Sequence, residues 1–235
     1  MTDTVAFGAA ALLLAAAAAW AFASEAASAP AELAVVELFQ SQGCSSCPPA
    51  NANVGALSER PGVLALSFAV TYWDHLGWRD TFARPEFTAR QYDYSHGLGH
   101  SNVYTPQVVL NGREDLPGID GGQLESALAR SSRVPAQLLS LDANALTIRA
   151  APPRSPADVW LVRYDRRTLE VPISAGENDG RTLPHKNIVR QLVRLGSWKG
   201  EAESFRLPPV ADANFGTAIL VQAPNGGPII AATKN

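Results

Sequence analysis

The sequence predicts an α/β fold followed by a β-rich, sandwich-like C-terminal domain. Apolar runs typical of buried strands alternate with helix-compatible stretches between residues 33 and 132, which is the pattern of an α/β layer fold. A C-x-x-C motif, from Cys44 to Cys47, stands between the first strand and the first helix. From residue 136 onward, short β-type runs punctuated by Pro and Gly replace this alternation, as in a small all-β sandwich or barrel.

The chain therefore divides into three predicted segments. We expect a signal peptide or N-terminal anchor over residues 1–29, an α/β domain over 33–132 and an all-β domain over 136–235. A chain of 235 residues is long enough to bury a real core. Its net charge of -3 provides no electrostatic footprint for nucleic acid.

The N-terminal segment predicts export. Residues 5–23 are almost wholly apolar and are followed by small residues around Ala23 and Ala29, which is typical of a secretory signal with its cleavage site. The alternative is a retained anchor, because the stretch is just long enough to span a bilayer; only then do we expect membrane contact. Either route places the cysteines in an oxidising compartment, as a periplasmic or secreted protein or as one anchored facing the periplasm.

The predicted elements of the α/β domain follow one another at short spacing. They are a strand over 34–39, a helix from the C-x-x-C motif to Glu59, a strand over 63–70, an aromatic insert over 72–78 and a helix over 85–95. Pro85 suits the first turn of its helix. A strand then begins near Gln107 and turns at Asn111-Gly112, the dipeptide most typical of a tight hairpin.

The last element of this domain is a helix from Gly121 to Arg130, preceded by a short return strand that closes at Ile119. Leu124, Ala127 and Leu128 recur at helical spacing and predict one apolar face. In the C-terminal domain we expect five short strands, at 146–148, 159–162, 188–189, 192–193 and 218–221. They carry no evident chemical motif.

Cys44 and Cys47 are the only two cysteines. A crosslink between them closes a ring of four residues, which is worth only about 2 kcal/mol in the loop-entropy model, against about 4.7 kcal/mol for a long loop. Stability is thus a weak reason for this pair. A lone C-x-x-C between a strand and a helix is the mark of a redox site instead.

Two segments resemble the thioredoxins and glutaredoxins. The first is the strand, C-x-x-C motif and helix. The second is Thr105-Pro106-Gln107-Val108-Val109-Leu110-Asn111-Gly112, which is similar to their cis-proline segment; cis bonds form only about 5–6% of X-Pro bonds in folded proteins. The order of elements over 33–132 is also similar to the thioredoxin arrangement. The resemblance implies a thioredoxin-like fold with a C-x-x-C and a cis-Pro segment.

A longer resemblance is to a family of exported bacterial thioredoxin-like proteins of unknown function. It rests on the strings VELFQSQGCSSCPPA at 36–50, YWDHLGW at 72–78 and GRTL at 180–183. It extends into the β-rich part of the chain. This resemblance implies the fold and the location but supplies no substrate.

The thioredoxin resemblance implies catalytic roles for three residues. Cys44 is the candidate nucleophile and the member of the pair that is usually exposed, and Cys47 is the candidate resolving thiol. Glu37 is the candidate proton acceptor for the second cysteine, although it stands one residue from the expected place, and a one-residue shift in a strand changes the face. A structural ion pair is the alternative for Glu37.

The start of the first helix bears on the nucleophile. Pro48-Pro49 lack N–H groups and disfavour α conformation in the preceding residue. The helix is therefore expected to begin at Cys47 or Pro48, so that its dipole lowers the pKa of Cys44 less than a helix beginning at Cys44 would.

Five further residues are candidate substrate-binding groups: Thr105, Pro106, Ser45, Ser46 and Trp73. Thr105 and Pro106 form the cis-proline segment, with a plain turn as the alternative. The two serines can donate to a thiolate or serve as helix N-caps. Trp73 shapes a groove or simply packs the insert. The glycine-rich stretch 176–187, with Arg181, His185 and Asn187, is expected to be a solvated loop; the alternative is that it reaches over the pair.

These residues predict a thiol–disulfide oxidoreductase that acts on protein thiols, needs a redox partner and uses no dissociable cofactor. A thioredoxin-fold binding module without catalysis is one alternative. A copper or zinc carrier is another, since copper(I) accepts two thiolates. Zinc needs about two more ligands, and Gly97 and Gly99 disfavour a shared helical face for His96 and His100. We therefore predict no metal site.

Overall fold

A computed structural model describes residue 2 and residues 32–152 and 155–235. The helices are α1 (Cys47–Leu57), α2 (Pro85–Gly97) and α3 (Gly121–Arg130), with one 3-10 turn at Asp74–Leu76. The first seven strands are β1 (Glu32–Gln40), β2 (Val63–Ala69), β3 (Gln107–Leu110), β4 (Glu114–Leu116), β5 (Val134–Pro135), β6 (Leu139–Leu141) and β7 (Ala145–Ile148). The others are β8 (Ala157–Pro172), β9 (Thr182–Trp198), β10 (Glu203–Arg206), β11 (Phe215–Gln222) and β12 (Ile229–Lys234).

The described chain forms a mixed α/β fold around one large mixed sheet. Eight of its nine strands follow the order β12-β11-β8-β9-β2-β1-β3-β4, and β5 pairs with β1. β1 runs parallel to β2 and antiparallel to β3. A short parallel pairing of Ser67 with Ile188 links β2 to β9. The strands of the two predicted domains therefore share one sheet, while the domain boundaries themselves stay a prediction.

Side chains alternate across β1 and divide the core in two. Val36 and Leu38 pack with the buried sides of α1 and α3, whereas Val35 and Phe39 pack with α2 and with strands of the C-terminal half. Strand residues point to opposite faces in turn. The helices therefore lie on two sides of the β2-β1-β3-β4 part of the sheet.

Local sequence explains where the three helices begin. α1 has Pro48 and Pro49 in its first turn and buries Ala50, Val54 and Leu57, a spacing that follows one helix face. α2 begins at Pro85, as predicted. α3 begins after Asp120, whose side chain accepts a hydrogen bond from the Gln123 N–H at 2.9 Å. The predicted bounds of α3 are confirmed.

The C-terminal half differs from the predicted series of short strands. β8 and β9 are 16 and 17 residues long and pair with each other, with register shifts that let each continue through polar positions. The runs predicted at 188–189 and 192–193 are thus parts of one strand. β6, β7 and β10 form a separate three-stranded sheet. Its apolar residues pack against β8, β11 and β12, which makes this region a local sandwich.

Two further sequence predictions concern the hairpin turn after β3 and the N-terminal segment. The hairpin corner at Asn111-Gly112 is confirmed, with φ of 51° and 64° as a tight hairpin turn requires. The predicted signal peptide or anchor over residues 1–29 lies outside the described residues, apart from residue 2. In the described part of the chain, no helix has the length and apolar character needed to cross a membrane.

Candidate functional site

Cys44 and Cys47 are joined in a disulfide bond at the start of α1. Their Cα atoms are 5.5 Å apart, within the usual range for a disulfide. The Cys44 N–H donates to the Ser41 carbonyl at 3.1 Å, and the Cys47 N–H donates to the Cys44 carbonyl at 3.2 Å. Two successive turns thus lead from the end of β1 into the helix and bring the sulfurs together.

The helix begins at Cys47, as the two prolines predict. Ser46 is the residue before the first helical turn, but its side chain makes no capping hydrogen bond. Its Oγ instead lies 3.3 Å from the Cys44 sulfur. Cys44 therefore stands outside the helix, and the predicted donation from Ser46 to this sulfur has suitable geometry.

Both cysteines are fully buried, each with 0% of its surface exposed. This differs from the expectation that Cys44 is the accessible member of the pair. The loop between β8 and β9, residues 173–181, contacts the backbone of the motif and is called the covering loop below. Its base is closed by the Ile173 N–H donating to the Arg181 carbonyl at 2.8 Å.

Asn178 and Glu177 carry the contacts of the covering loop. The Asn178 amide donates to the carbonyls of Gln42 and Cys44, both at 2.9 Å. Its Oδ1 accepts from Arg181 at 2.7 Å, and the residue is 0% exposed. The exposed Glu177 carboxylate accepts from the Ser45 N–H at 3.0 Å and from the Ser45 Oγ at 2.7 Å. These bonds to Ser45 lower the pKa of Glu177.

The glycine-rich stretch contacts the C-x-x-C motif, so the default expectation of a solvated loop is wrong for residues 177 and 178. Glu177 and Asn178 make the contacts, and the sequence analysis did not single them out. His185 and Asn187 lie in β9. The only available signal for the two missed residues was their position between Gly176 and Gly180.

The cis-proline segment is confirmed: the Thr105–Pro106 peptide bond is cis. Phe39 at the end of β1 opposes Gln107, so Pro106 stands beside the point where the chain leaves β1 for the C-x-x-C motif. Trp73 spans the two segments. Its indole N–H donates to Thr105 Oγ1 at 2.7 Å. Its Cβ lies close to Gly43, because a Cβ added to that glycine would be 3.3 Å from the Trp73 Cβ.

A buried acid supports the loop that precedes the cysteines. Asp80, two residues after the aromatic insert, accepts the Gln42 N–H at 2.7 Å and the Phe82 N–H at 2.8 Å. The Trp78 indole N–H donates to Gln42 Oε1 at 2.9 Å. Burial raises the pKa of Asp80 to about 6. Asp80 was not predicted as a site residue, because nothing in the sequence around it distinguishes it from surface aspartates.

Glu37 is placed away from the disulfide and among other partners. Its carboxylate accepts from Arg90 Nε at 2.7 Å and from the Tyr94 hydroxyl. Glu37 alternates with Val36 and Leu38, which face α1, so it lies on the α2 face. The alternative function, a structural ion pair, is what the structure shows. The one-residue shift from the expected position explains the change of face.

His185 is a second buried titratable group. It is 1% exposed, and neither ring nitrogen makes a hydrogen bond with the described residues. The ring packs edge-on against Phe82 at 5.5 Å between centroids. Burial lowers the pKa of His185 to about 4, since a charged imidazole would have no partner there.

Among the described residues, no further metal ligands lie near the cysteines. No group of three or more His, Cys, Asp or Glu side chains that could hold a metal ion occurs within residues 32–152 and 155–235. His100 bonds to Asp115 at 2.8 Å. Cys44 and Cys47 are engaged with each other.

Fold and site together define a mixed α/β protein with a disulfide-bonded C-x-x-C motif beside a cis-proline. The chain belongs to the family of proteins of unknown function DUF1223, which it matches over residues 35–222. It is similar to the crystal structure of protein AGR_C_4864 from Agrobacterium tumefaciens, with 32% identity and a TM-score of 0.68. That match covers 86% of this chain and 92% of the other.

A more distant likeness extends to HBP35 of Porphyromonas gingivalis. The identity is 15% and the TM-score 0.55, over 87% of this chain and 74% of the other. A likeness at this identity shows the fold alone. No curated protein sequence matches this chain.

Proposed function

We propose that this protein is an exported thiol–disulfide oxidoreductase of thioredoxin-like fold that acts on protein thiols through Cys44 and Cys47. One observation carries the proposal: a closed C-x-x-C disulfide lies between a strand and a helix, beside a cis Thr105–Pro106 bond. Because a four-residue ring stabilises a fold only weakly, about 2 kcal/mol, reversible chemistry is the better reason for this arrangement.

The arrangement of the first seven elements supports the thioredoxin-like part of the proposal. The strand order β2-β1-β3-β4 places β1 centrally, with α1 and α3 on one face and α2 on the other. The motif follows the C-terminal end of β1, where α/β sheets place their sites. Export is supported by the apolar run at residues 5–23 and by a disulfide that suits an oxidising compartment.

The proposed reaction is a balanced exchange of disulfides. The Cys44 thiolate attacks one sulfur of a substrate disulfide, forming a mixed disulfide and releasing a substrate thiolate. The Cys47 thiolate then attacks the Cys44 sulfur, which restores the Cys44–Cys47 bond and releases the second substrate thiolate. The reverse sequence oxidises a substrate dithiol. A redox partner resets the pair, and no dissociable cofactor is required.

Neighbouring side chains have distinct proposed roles in this exchange. Ser46 Oγ, 3.3 Å from the Cys44 sulfur, donates to the Cys44 thiolate when the pair is reduced. Trp73 holds Thr105 through its 2.7 Å hydrogen bond and so orients the segment that ends at Pro106. Substrate contacts at Ser45 require the displacement of Glu177, which now occupies both Ser45 donors.

The reduction potential of the Cys44–Cys47 pair tests the proposal. The protein is equilibrated in glutathione buffers, and free thiols are counted by alkylation and mass shift. We expect a value between about -120 and -270 mV, the range of working oxidoreductases. A value below about -300 mV is typical of structural disulfides and would contradict the proposal.

Trapping gives a second test with a matched control. Cys47→Ser removes the resolving thiol and is expected to accumulate mixed disulfides through Cys44 with proteins of the same compartment. Cys44→Ser is the control and should trap none. Equal trapping by the two variants would contradict the assigned roles.

A binding module is the second candidate, because both cysteines are fully buried. In that case the disulfide holds the loop in shape and the protein acts through its surface. Loss of both sulfurs in Cys44→Ser/Cys47→Ser would then leave partner binding unchanged. The metal content of freshly reduced protein tests the copper or zinc carrier, which no observation on the described residues favours.

A further inference from the structure

The covering loop satisfies main-chain groups that an incoming polypeptide would need. It accounts for three of them next to the disulfide: the carbonyls of Gln42 and Cys44, which accept from Asn178, and the Ser45 N–H, which donates to Glu177. Two acceptors followed by a donor form a pattern that the N–H and C=O groups of an extended peptide can satisfy. The Asn178 side-chain amide presents the same chemical groups as a peptide bond.

Access to sulfur is also blocked. Disulfide exchange requires a thiolate to reach a disulfide sulfur directly, and Cys44 is 0% exposed with the loop in place. Asn178 is itself 0% exposed, so it fills the space beside the Cys44 carbonyl rather than resting on the surface. No polypeptide can occupy this position while Asn178 remains there.

The loop is suited to move as a unit. Gly176 and Gly180 flank its contact residues with φ of +80° and +76°, a region that glycine adopts freely. Glu177 makes its bonds at an exposed position, where they exchange readily with water. Asn178 is therefore the buried anchor, and its release frees the Gln42 and Cys44 carbonyls together.

We propose that the covering loop occupies the substrate-binding site of the Cys44–Cys47 pair, and that an extended, cysteine-bearing polypeptide binds there only after Asn178 leaves. Asn178 is then a positioning residue, since it acts through the backbone of the motif. This inference rests on the proposed function for its substrate. The obstruction itself depends only on the geometry.

Reduction kinetics of the oxidised full-length protein test the inference. Dithiothreitol first attacks Cys44 through one thiolate and releases Cys47; its second thiolate then attacks the mixed disulfide, leaving two protein thiols and cyclic oxidised dithiothreitol. We expect the wild-type rate to reach a plateau as dithiothreitol rises, because loop opening becomes limiting. Asn178→Ala should lift that plateau by roughly tenfold or more, since it removes buried hydrogen bonds of the closed state.

Asn53 provides a matched control for Asn178. Its amide also donates to two backbone carbonyls, those of Gly118 and Ile119, both at 2.9 Å, but these belong to the segment before α3. Asn53→Ala should leave the plateau unchanged. An equal rise in both variants would mean that general loosening is the cause, and it would overturn the inference.

Gly176→Ala keeps the test valid if Asn178→Ala fails to fold. A side chain is strained at φ +80°, so the variant weakens the closed loop and should also raise the plateau. Gly99→Ala, at φ +77° with no atom within 4 Å, carries the same strain elsewhere and is expected to leave the rate unchanged.

The substrate class is tested with an extended peptide that carries one cysteine, compared with free cysteine. Asn178→Ala should raise the rate at which either thiol forms a mixed disulfide with Cys44 and releases the Cys47 thiolate. In this variant, the rate should also saturate at a lower concentration of the peptide than of free cysteine. Equal saturation would exclude a polypeptide site.

The outcome separates this inference from the proposed function. A plateau in the dithiothreitol rate together with a reduction potential typical of structural disulfides would support the blocking loop and contradict the oxidoreductase function. A rate that rises linearly with dithiothreitol and is identical in wild type and Asn178→Ala would overturn the blocking loop, whatever the potential.

Discussion

Two sets of buried polar groups, on either side of β1, differ in how completely they are paired. In the first, Glu37, Arg90 and Tyr94 each hydrogen-bond to the other two. Burial alone would lower the pKa of Arg90, but attraction to Glu37 raises it above its ordinary value. The cluster is closed on itself, and its charges cannot separate without a large cost in free energy.

The second set lies toward the disulfide and β9 and is paired less completely. Asn178 is satisfied, but only by groups of the C-x-x-C loop and of its own loop. Both nitrogens of His185, the amide nitrogen of Gln40 and the hydroxyl of Ser67 make no hydrogen bond with the described residues.

The Glu37 cluster and the covering loop are therefore attached to the rest of the protein in different ways. The Glu37 cluster ties α2 to the central strand through charge. The covering loop is held by neutral bonds and by one exposed carboxylate. A segment held in this second way can leave without stranding a buried charge, which is what the inference for Asn178 requires.

The largest expected effect comes from breaking the charged cluster. Glu37→Gln leaves Arg90 buried without a counter-charge, and we expect the free energy of unfolding to fall by about 3–5 kcal/mol. Urea unfolding measures this loss. Glu37→Leu/Arg90→Leu removes both charges and should recover much of it.

The same variant also examines the proton-acceptor role. Because Glu37 lies on the α2 face, the exchange rate of Cys47 should be unchanged in Glu37→Gln where the protein remains folded. A slower Cys47 step would contradict the purely structural role of the Glu37 cluster and restore Glu37 to the catalytic site.

The next effect concerns His185 and is a matter of pH. Its pKa falls from 6.5 to about 4 on folding, so the neutral form is favoured in the native state. This contribution, on the order of 3 kcal/mol, is fully present above pH 6.5 and is lost as pH falls toward 4. His185→Leu should remove that loss, as followed by urea unfolding between pH 4 and 7.

Asp80 also contributes to the pH dependence of the free energy of unfolding. Its pKa is raised to about 6, so its contribution is present at low pH and is lost as pH rises through 6, the opposite direction. The difference between wild type and His185→Leu isolates the histidine. The exposed His75 is the matched control, and His75→Gln should keep the wild-type profile; equal profiles for His185→Leu and wild type would contradict the assignment.

A smaller effect is expected where Trp73 joins the two segments of the site. Trp73→Phe removes the 2.7 Å hydrogen bond to Thr105, and the free energy of unfolding should fall by roughly 1 kcal/mol. A double-mutant cycle with Thr105→Val measures the pairing itself. Trp198→Phe, which removes a 2.6 Å bond to the Glu201 carbonyl, is a remote control that should leave disulfide exchange unchanged while Trp73→Phe slows it.

The smallest effect is expected for Glu177. Its contacts to Ser45 are exposed, and exposed contacts of this kind add little to stability. Glu177→Gln should leave the urea midpoint unchanged and raise the dithiothreitol plateau by about twofold at most. Glu125→Gln, in an exposed ion pair with Arg60, is the control. A rise as large as that of Asn178→Ala would make Glu177 the anchor instead.

Much of the first half of the fold follows from local patterns in the sequence. The bounds predicted for α3 from the apolar face of Leu124, Ala127 and Leu128 are confirmed, and the structure adds the Asp120 cap. The Asn111-Gly112 corner and the start of α1 follow from residues with strong conformational preferences. In the same segments, the helix begins at Cys47 and the Thr105–Pro106 bond is cis, as predicted.

The second half shows where such patterns fail. β8 and β9 are single long strands, but bulges and polar positions divide their sequences into short apolar runs. The pairing of Ser67 with Ile188 joins segments more than one hundred positions apart, and no local period reports such a contact. The contacts of Asn178 could not be predicted either, because an asparagine between Gly176 and Gly180 is also typical of a solvated turn.

Local sequence is enough to predict the chemical groups of this protein: two cysteines three positions apart, a strand before them, a helix with Pro48-Pro49 in its first turn after them, and the proline segment beside them. Each follows from neighbours in the chain, whose geometry is set by covalent structure and local hydrogen bonding. The surroundings of these groups depend instead on packing between segments that are distant in the chain. The face of Glu37 depends on strand register, and the Cys44 carbonyl is bonded by Asn178 from a distant loop, so no local pattern in the sequence reports either contact.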